Sequence, residues 1–332
     1  MKSFFFFMAI ALVLALLAGA WTFNQAAGNS EHSEIVNIQR GMSLGEVASL
    51  LAERRLLANA QWFRIIGTLS RADRKIQPGE YKLHAGLTPK EILERLAEGK
   101  VYYHSVTIPE GYTISQIANV LSKKGLVDKT RFVWLTKDPA FIRSLDLNVQ
   151  TLEGYLFPDT YFFTRTTSEE DIIKTFVIRL WKAFSPTLLN RANEIGMSVQ
   201  EVLTLASVIE KETGLSTERS MVSGVFHNRL NRNIPLQSDP TVIYAIEDFD
   251  GNIRKRDLSI DSPYNTYRVR GLPPGPIANP GEAAIHAALY PTPSDYVYFV
   301  SRNDGSHEFS VTLAEHNRAV EKYQKKRPKH AS

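Results

Sequence analysis

Two carboxylates stand two positions apart at the end of the stretch Ala206-Ser-Val-Ile-Glu-Lys-Glu-Thr-Gly214. Ser198 with Glu201 three residues on reads as a capping box that opens a helix, and Val202, Leu205, Ala206 and Ile209 repeat at the helical period. Gly214 marks its expected end. The last turn of a helix carries the negative end of the peptide dipole, which disfavours an ionised Glu. Apolar neighbours raise its pKa further, and a Glu that keeps its proton near neutral pH can act as a general acid. With Val202 at the centre of the buried face, Glu210 and Glu212 fall on opposite flanks, so both do not enter one cleft. Glu212 lies beside Leu205, Val208 and Ile209 and nearer the helix end, whereas Glu210 is nearer Leu203 and Ser207. Dipole and neighbours favour Glu212 as the acid. Spacing alone equally describes a solvated pair bracketing Lys211.

Three later segments alternate amides, hydroxyls and rings with rigid turns: Leu236-Gln-Ser-Asp-Pro-Thr-Val-Ile-Tyr244, Ser262-Pro-Tyr-Asn-Thr-Tyr267 and Gly271-Leu-Pro-Pro-Gly-Pro-Ile-Ala-Asn-Pro-Gly281. Sugar rings offer apolar faces for stacking and hydroxyls or acetamides for hydrogen bonding, and proline-fixed loops hold such groups at little ordering cost. Gln237, Asp239, Tyr244, Asn265, Thr266 and Tyr267, with Glu210, are the candidate substrate-binding residues. Turn chemistry and core aromatics account for any one of them taken singly. Asp239 is the obvious second carboxylate, but Asp before Pro caps turns and helices, so it is given a positioning role. The 8 His residues show no metal-ligand spacing, and no Ser sits in a nucleophile elbow. His307 and His316 read as structural. With no Cys, thiol catalysis and thiolate metal sites are excluded. Neither a metal nor a cofactor is called for.

The elements that must position these residues follow from the rest of the chain. Its 332 residues, 43% hydrophobic with a net charge of +4, allow two or three units with their own cores. The charge excess sits partly in a basic tail, 326–332, and gives no support for nucleic-acid binding. Phe4 to Phe23 is an uncharged apolar run, preceded by Lys2 and followed by Glu31 and Glu34 as the first charges. It is expected to be a single transmembrane helix (4–23) in the cytoplasmic membrane, with residues 1–3 cytoplasmic and the remainder outside. A cleaved signal peptide, cut after Ala18-Gly-Ala20 or Ala26-Ala27, is the competing reading.

After a linker (24–33) come three gapless repeats starting at Gly41, Gly86 and Gly111, each with a capping box: Ser43/Glu46, Thr88/Glu91 and Thr113/Gln116. Strand-like segments at 34–38, 79–83 and 102–108 flank them, so 34–103 is expected to be a small α+β module. The pattern resembles the LysM-like module, a carbohydrate-associated fold, although a spacer would look the same. A mixed α+β domain is expected over 104–325, with helices at 169–183, 186–195, through Glu212, after Glu218, near 283–289 and from Leu313, and a strand at 296–301.

Taken together, Ala206 to Thr213, Ser238-Asp-Pro-Thr-Val-Ile-Tyr244, Tyr264-Asn-Thr-Tyr267 and Gly271-Leu-Pro-Pro-Gly-Pro-Ile277 resemble the endolytic murein transglycosylase (YceG-like) family. Glu153-Gly-Tyr-Leu-Phe-Pro-Asp-Thr-Tyr161 and His316-Asn317 match as well, and the resemblance spans essentially the whole chain. It implies an inner-membrane enzyme that cuts peptidoglycan strands between N-acetylmuramic acid and N-acetylglucosamine, leaving 1,6-anhydro-muramoyl ends. It implies Glu212 as the catalytic residue, peptidoglycan strands as substrate, and synthases of the same polymer as candidate protein partners.

Overall fold

The computed structural model describes residues 2–23 and 25–325 and divides into two compact units. The first comprises residues up to 105 together with 162–167; the second comprises 106–161 and everything from 168. The basic tail 326–332 lies outside the described residues. Helices and short paired strands together make the architecture α+β.

In the first unit the chain forms α1 (Lys2–Phe23), β1 (Ser33–Ile38), α2 (Leu44–Glu53), α3 (Ala60–Leu69), β2 (Gly79–His84) and α4 (Pro89–Ala97). β1 and β2 pair antiparallel, from Ser33 opposite His84 to Ile38 opposite Gly79. Alternate residues, Val36 and Ile38 with Tyr81 and Leu83, turn inward onto Val47, Leu51, Phe63, Ile92 and Leu96. α2 and α4 each begin at a complete capping box, Ser43/Glu46 and Thr88/Glu91, which satisfies amide donors that a helix start leaves orphaned.

The transmembrane span expected over 4–23 is corrected. The segment is helical as α1, but among the described residues no helix is long and apolar enough to cross a membrane. α1 instead packs near its C-terminal end on α3, where Gly19 is buried against the Trp62 ring and a Cβ would come within 2.6 Å of it. Phe7, Leu12, Leu14 and Leu17 remain exposed. The inner-membrane, single-pass topology with a cytoplasmic N-terminus rested on that span and is withdrawn with it.

The chain continues through β3 (His104–Thr107), α5 (Ile114–Lys123), α6 (Lys129–Leu135), α7 (Pro139–Ser144), β4 (Thr160–Phe163), α8 (Glu169–Ala183), α9 (Pro186–Glu194), α10 (Val199–Glu212), α11 (Arg219–Asn231), α12 (Asp239–Ala245), α13 (Glu282–Leu289), β5 (Tyr298–Ser301), β6 (His307–Ser310) and α14 (Leu313–Val320). β3 pairs with β4, and β5 with β6 in antiparallel register. The third repeat helix, α5, carries its capping box Thr113/Gln116 but belongs to the second unit, unlike α2 and α4.

α10 is the centre of the second unit. α9, α11, α12 and α13 all pack on it, and every residue from Val202 to Ile209 is buried. The spacing marked one buried face through Val202, Leu205, Ala206 and Ile209; Leu203, Thr204, Ser207 and Val208 are buried as well, so the middle of the helix is enclosed. Its polar residues are satisfied internally: Thr204 Oγ1 donates to the Gln200 carbonyl, and Ser207 Oγ donates to Thr204 O while accepting from Ile277 N–H. The helix also stops without a left-handed glycine. Thr213 turns extended (φ −136°, ψ 131°) and its hydroxyl accepts the Leu215 N–H, so Gly214 is not needed as the stop. Left-handed glycine is used at Gly154 (φ +87°), where a Cβ would lie 2.4 Å from the Pro276 ring. The aromatic segment after Glu153 thereby seats against the Pro-rich loop.

Candidate functional site

α10 delivers Glu212 to the wall of a cavity of about 340 Å³, lined also by Arg229, Leu236, Gln237, Asp239, Tyr267, Phe299 and His316. Ser238, the N-cap of α12, donates its hydroxyl to Glu212 Oε1 at 2.5 Å. Removal from water dominates the carboxyl's environment and pushes its pKa up to about 7. The Ser238 hydrogen bond and the Arg229 charge pull it down, while the Asp239 charge adds to the rise. A carboxyl poised in this way holds its proton over a useful fraction of the neutral range and can also accept one.

The floor of the cavity is organised by Arg229. Only 7% exposed, it reaches from α11 to donate from Nε to the Val297 carbonyl at 2.6 Å, and from Nη1 to Pro235 O (2.9 Å), Leu236 O (2.8 Å) and Gln237 Oε1 (3.2 Å). Gln237 is held in a left-handed conformation (φ +52°), its own N–H donating to Thr266 O at 3.0 Å. Tyr267 Oη donates to Asp239 Oδ1 at 2.6 Å, leaving Asp239 an acceptor on the cavity wall. His316, from α14, stacks on Tyr298 with centroids 5.1 Å apart; its Nδ1 is shielded from solvent and has no hydrogen-bond partner among the described residues.

Of the residues singled out from sequence, Glu212, Gln237, Asp239 and Tyr267 are brought together here. The other four go elsewhere. Glu210 accepts from Arg219 Nη2 at 2.9 Å and from the Gly281 N–H at 3.0 Å, tying the ends of three helices, α10, α11 and α13. Asn265 is fully buried and donates to Leu258 O and Ile260 O, closing its own loop. Thr266, also buried, accepts the Ser238 N–H at 3.0 Å and bonds Thr241 Oγ1 at 2.8 Å, which fixes the segment that presents Ser238 without facing the cavity. Tyr244 turns its hydroxyl to Glu153 Oε2 at 3.4 Å, in a different cavity.

Sequence reading missed Ser238, although it stood inside a quoted motif, and missed Arg229, which no local pattern announces. It also missed a buried carboxyl. Glu153, 3% exposed, accepts from the Ile114 N–H at the start of α5 (3.0 Å) and from Asn279 Nδ2 (2.8 Å); burial pushes its pKa up to about 8 against those hydrogen bonds. Asn279 in turn exchanges backbone hydrogen bonds with the 111–112 segment and accepts the Leu156 N–H. Among the described residues, no cluster of three or more His, Asp or Glu is placed to hold a metal ion.

Comparison with known proteins accords with this arrangement. A family model described as YceG-like matches residues 36–322. A Bacillus subtilis protein named endolytic murein transglycosylase is 35% identical over 93% of this chain and 90% of its own length. A Streptococcus pneumoniae protein of the same name is 30% identical over 88% of this chain, which spans 58% of that longer protein. A crystal structure of a yceG-like protein from Listeria monocytogenes superposes with a TM-score of 0.62 at 35% identity, covering 87% of this chain and 99% of that one. With motifs, fold and family match in agreement over most of its length, the chain belongs to the YceG-like family.

Proposed function

We propose that this protein is an endolytic murein lytic transglycosylase, cutting within peptidoglycan strands between N-acetylmuramic acid and N-acetylglucosamine and leaving 1,6-anhydro-muramoyl ends. Cuts inside a growing strand would limit its length. The carrying observation is a cavity in which one carboxyl, Glu212, has its pKa lifted to about 7 by burial, while the other, Asp239, is held as an acceptor by Tyr267. The names of the Bacillus subtilis and Streptococcus pneumoniae relatives support the substrate class.

In the reaction, Ser238 occupies Glu212 Oε1 as an acceptor, which leaves Oε2 to carry the exchangeable proton. Glu212 donates that proton to the glycosidic oxygen as the muramoyl C1–O bond breaks, and the substrate's 2-acetamido group stabilises the positive charge at C1. The carboxylate then takes the proton of the C6 hydroxyl as O6 closes onto C1. The proton count returns to its start and no water is consumed. Tyr267, Gln237 and His316 line the space where the sugars must lie and offer a ring and polar atoms to them.

One observation favours a second reading. Asp239 shares the cavity and its charge raises the Glu212 pKa, the pairing that a glycoside hydrolase would use. A hydrolase would finish with a reducing muramoyl end in place of the anhydro ring.

The acid role is tested by the pH profile. Protonated Glu212 is the reactive form, so kcat/KM is expected to be level below pH 6 and to fall about tenfold per pH unit above about 7. Stability moves in the same sense: a carboxyl with a raised folded-state pKa contributes fully below its unfolded value and loses that contribution as pH rises through about 7, and Glu153 adds the same trend through about 8. A rate profile flat from pH 5 to 9 would remove Glu212 as the proton donor.

A further inference from the structure

A second, larger cavity of about 590 Å³ lies in the same unit, lined among others by Ile114, Lys137, Glu153, Lys211, Ile243 and Tyr244. It borders the Glu212 cavity through two shared elements. Lys211 lines one and Glu212 the other at the end of α10, while Asp239 at the start of α12 faces the first and Pro240, Ile243 and Tyr244 face the second. Asp239 and Pro240 are consecutive, so the two spaces adjoin across the first turn of α12. The inner wall is apolar from Ile114, Ile243 and Ile277, and its buried carboxyl, Glu153, is anchored by the Ile114 amide, Asn279 and Tyr244. Lys137 and Lys211 are exposed residues of its lining, the Lys211 ammonium donating a long hydrogen bond (3.4 Å) to the Gly111 carbonyl.

We infer that this cavity is the subsite for the peptide stem borne by the muramoyl residue being cut, its lysines pairing with the stem's carboxylates and its apolar wall taking the alanyl side chains. The inference rests on the transglycosylase reading above. A glycan carries its stem on the lactyl group of the muramoyl ring, so a sugar seated over Glu212 projects the stem sideways by a few bonds. The Tyr244 ring and the Gln116 amide would serve a saccharide as well, but the charged groups of both signs at the rim, Lys137 and Lys211 with Glu247, beside an apolar wall match a peptide that carries carboxylates, a free amino group and small alkyl side chains.

Binding is measured with the catalytically silenced Glu212→Gln protein on two probes, intact glycan strands bearing their stems and strands stripped of stems by an amidase. Lys137→Glu in that background reverses an exposed charge and leaves the fold intact. It is expected to weaken binding of stem-bearing strands about fivefold or more, the weight of one partly screened ion pair, and to leave stripped strands unchanged. Lys211→Ala is expected to act in the same direction with the same selectivity. Equal weakening on both probes, or none on stem-bearing strands, overturns the inference while leaving the transglycosylase reading standing. Failure of the Glu212→Gln protein to bind either probe overturns both.

Discussion

Glu212→Gln is expected to lower kcat/KM on peptidoglycan by about a thousandfold, the range for removing a positioned acid–base group, while leaving the protein folded. The amide fills the same volume, and its oxygen accepts the Ser238 hydroxyl as Oε1 does now. What it cannot do is pass a proton to the glycosidic oxygen and take one from the C6 hydroxyl. Because burial disfavours the ionised carboxylate, the variant should be more resistant to heat than the wild type above pH 7, with the difference vanishing at pH 5. Glu210→Gln is the contrasting control. It should retain most of the turnover but lose roughly 1–3 kcal/mol of stability, because Arg219 is left beside a neutral amide, its other acidic neighbour among the described residues being Glu110 at 3.6 Å. Turnover and thermal melts on the two variants separate a chemical carboxylate from a structural one.

The second large effect belongs to Arg229. Replacing it with Met keeps the buried stem but removes every donor to Val297 O, Pro235 O, Leu236 O and Gln237 Oε1. The two buried acceptors, Val297 O and Leu236 O, cost on the order of 1–3 kcal/mol each when stripped of their partner, so with the part-buried bonds a net loss of about 4 kcal/mol is expected. For a unit of this size that is roughly a 10 °C fall in Tm. Arg229→Lys should recover little of it, since one ammonium does not reproduce the fork that spans two elements. Activity should fall with stability because the Leu236–Ser238 segment, including left-handed Gln237, loses its anchor. Loss of the Arg229 charge should also move the basic limb of the pH profile upward, because that charge favours ionised Glu212. A melt within 2 °C of wild type would show that Arg229 does not hold the cavity floor.

How far the sequence carried this picture depends on the range of the signal. Helix starts are local, and the capping boxes at Ser43, Thr88, Thr113 and Ser198 all stand where the spacing placed them. Glu212 and Glu210 looked alike by spacing; the dipole and apolar neighbours leaned toward Glu212, and the family resemblance selected it. The 236–244 segment shows where local reading fails. As alternating loop residues, Asp239 and Tyr244 looked like members of one site. As helix α12 they lie five positions apart, about 140° around the axis, and so face different cavities. Asn265 and Thr266 had the chemistry to bind a sugar, but their amide and hydroxyl are spent on fixing the loop. Glu153 pairs with Asn279 across 126 residues, and Arg229 serves the Val297 carbonyl 68 residues away; no periodicity encodes such partners. The chain's return to the first unit at 162–167 was likewise unannounced. The apolar N-terminal run was read by hydropathy alone, and its helix packs on α3 instead of qualifying as a span.

In the proposed reaction one carboxyl cuts the strand by ring closure and not by adding water. Mass spectrometry of the fragments released from purified peptidoglycan tests it directly. Ring closure gives muramoyl ends carrying the 1,6-anhydro ring, one water lighter than a hydrolytic product and resistant to borohydride reduction. Reducible muramoyl ends, heavier by one water, would contradict it and assign the cavity to a Glu212–Asp239 hydrolase pair.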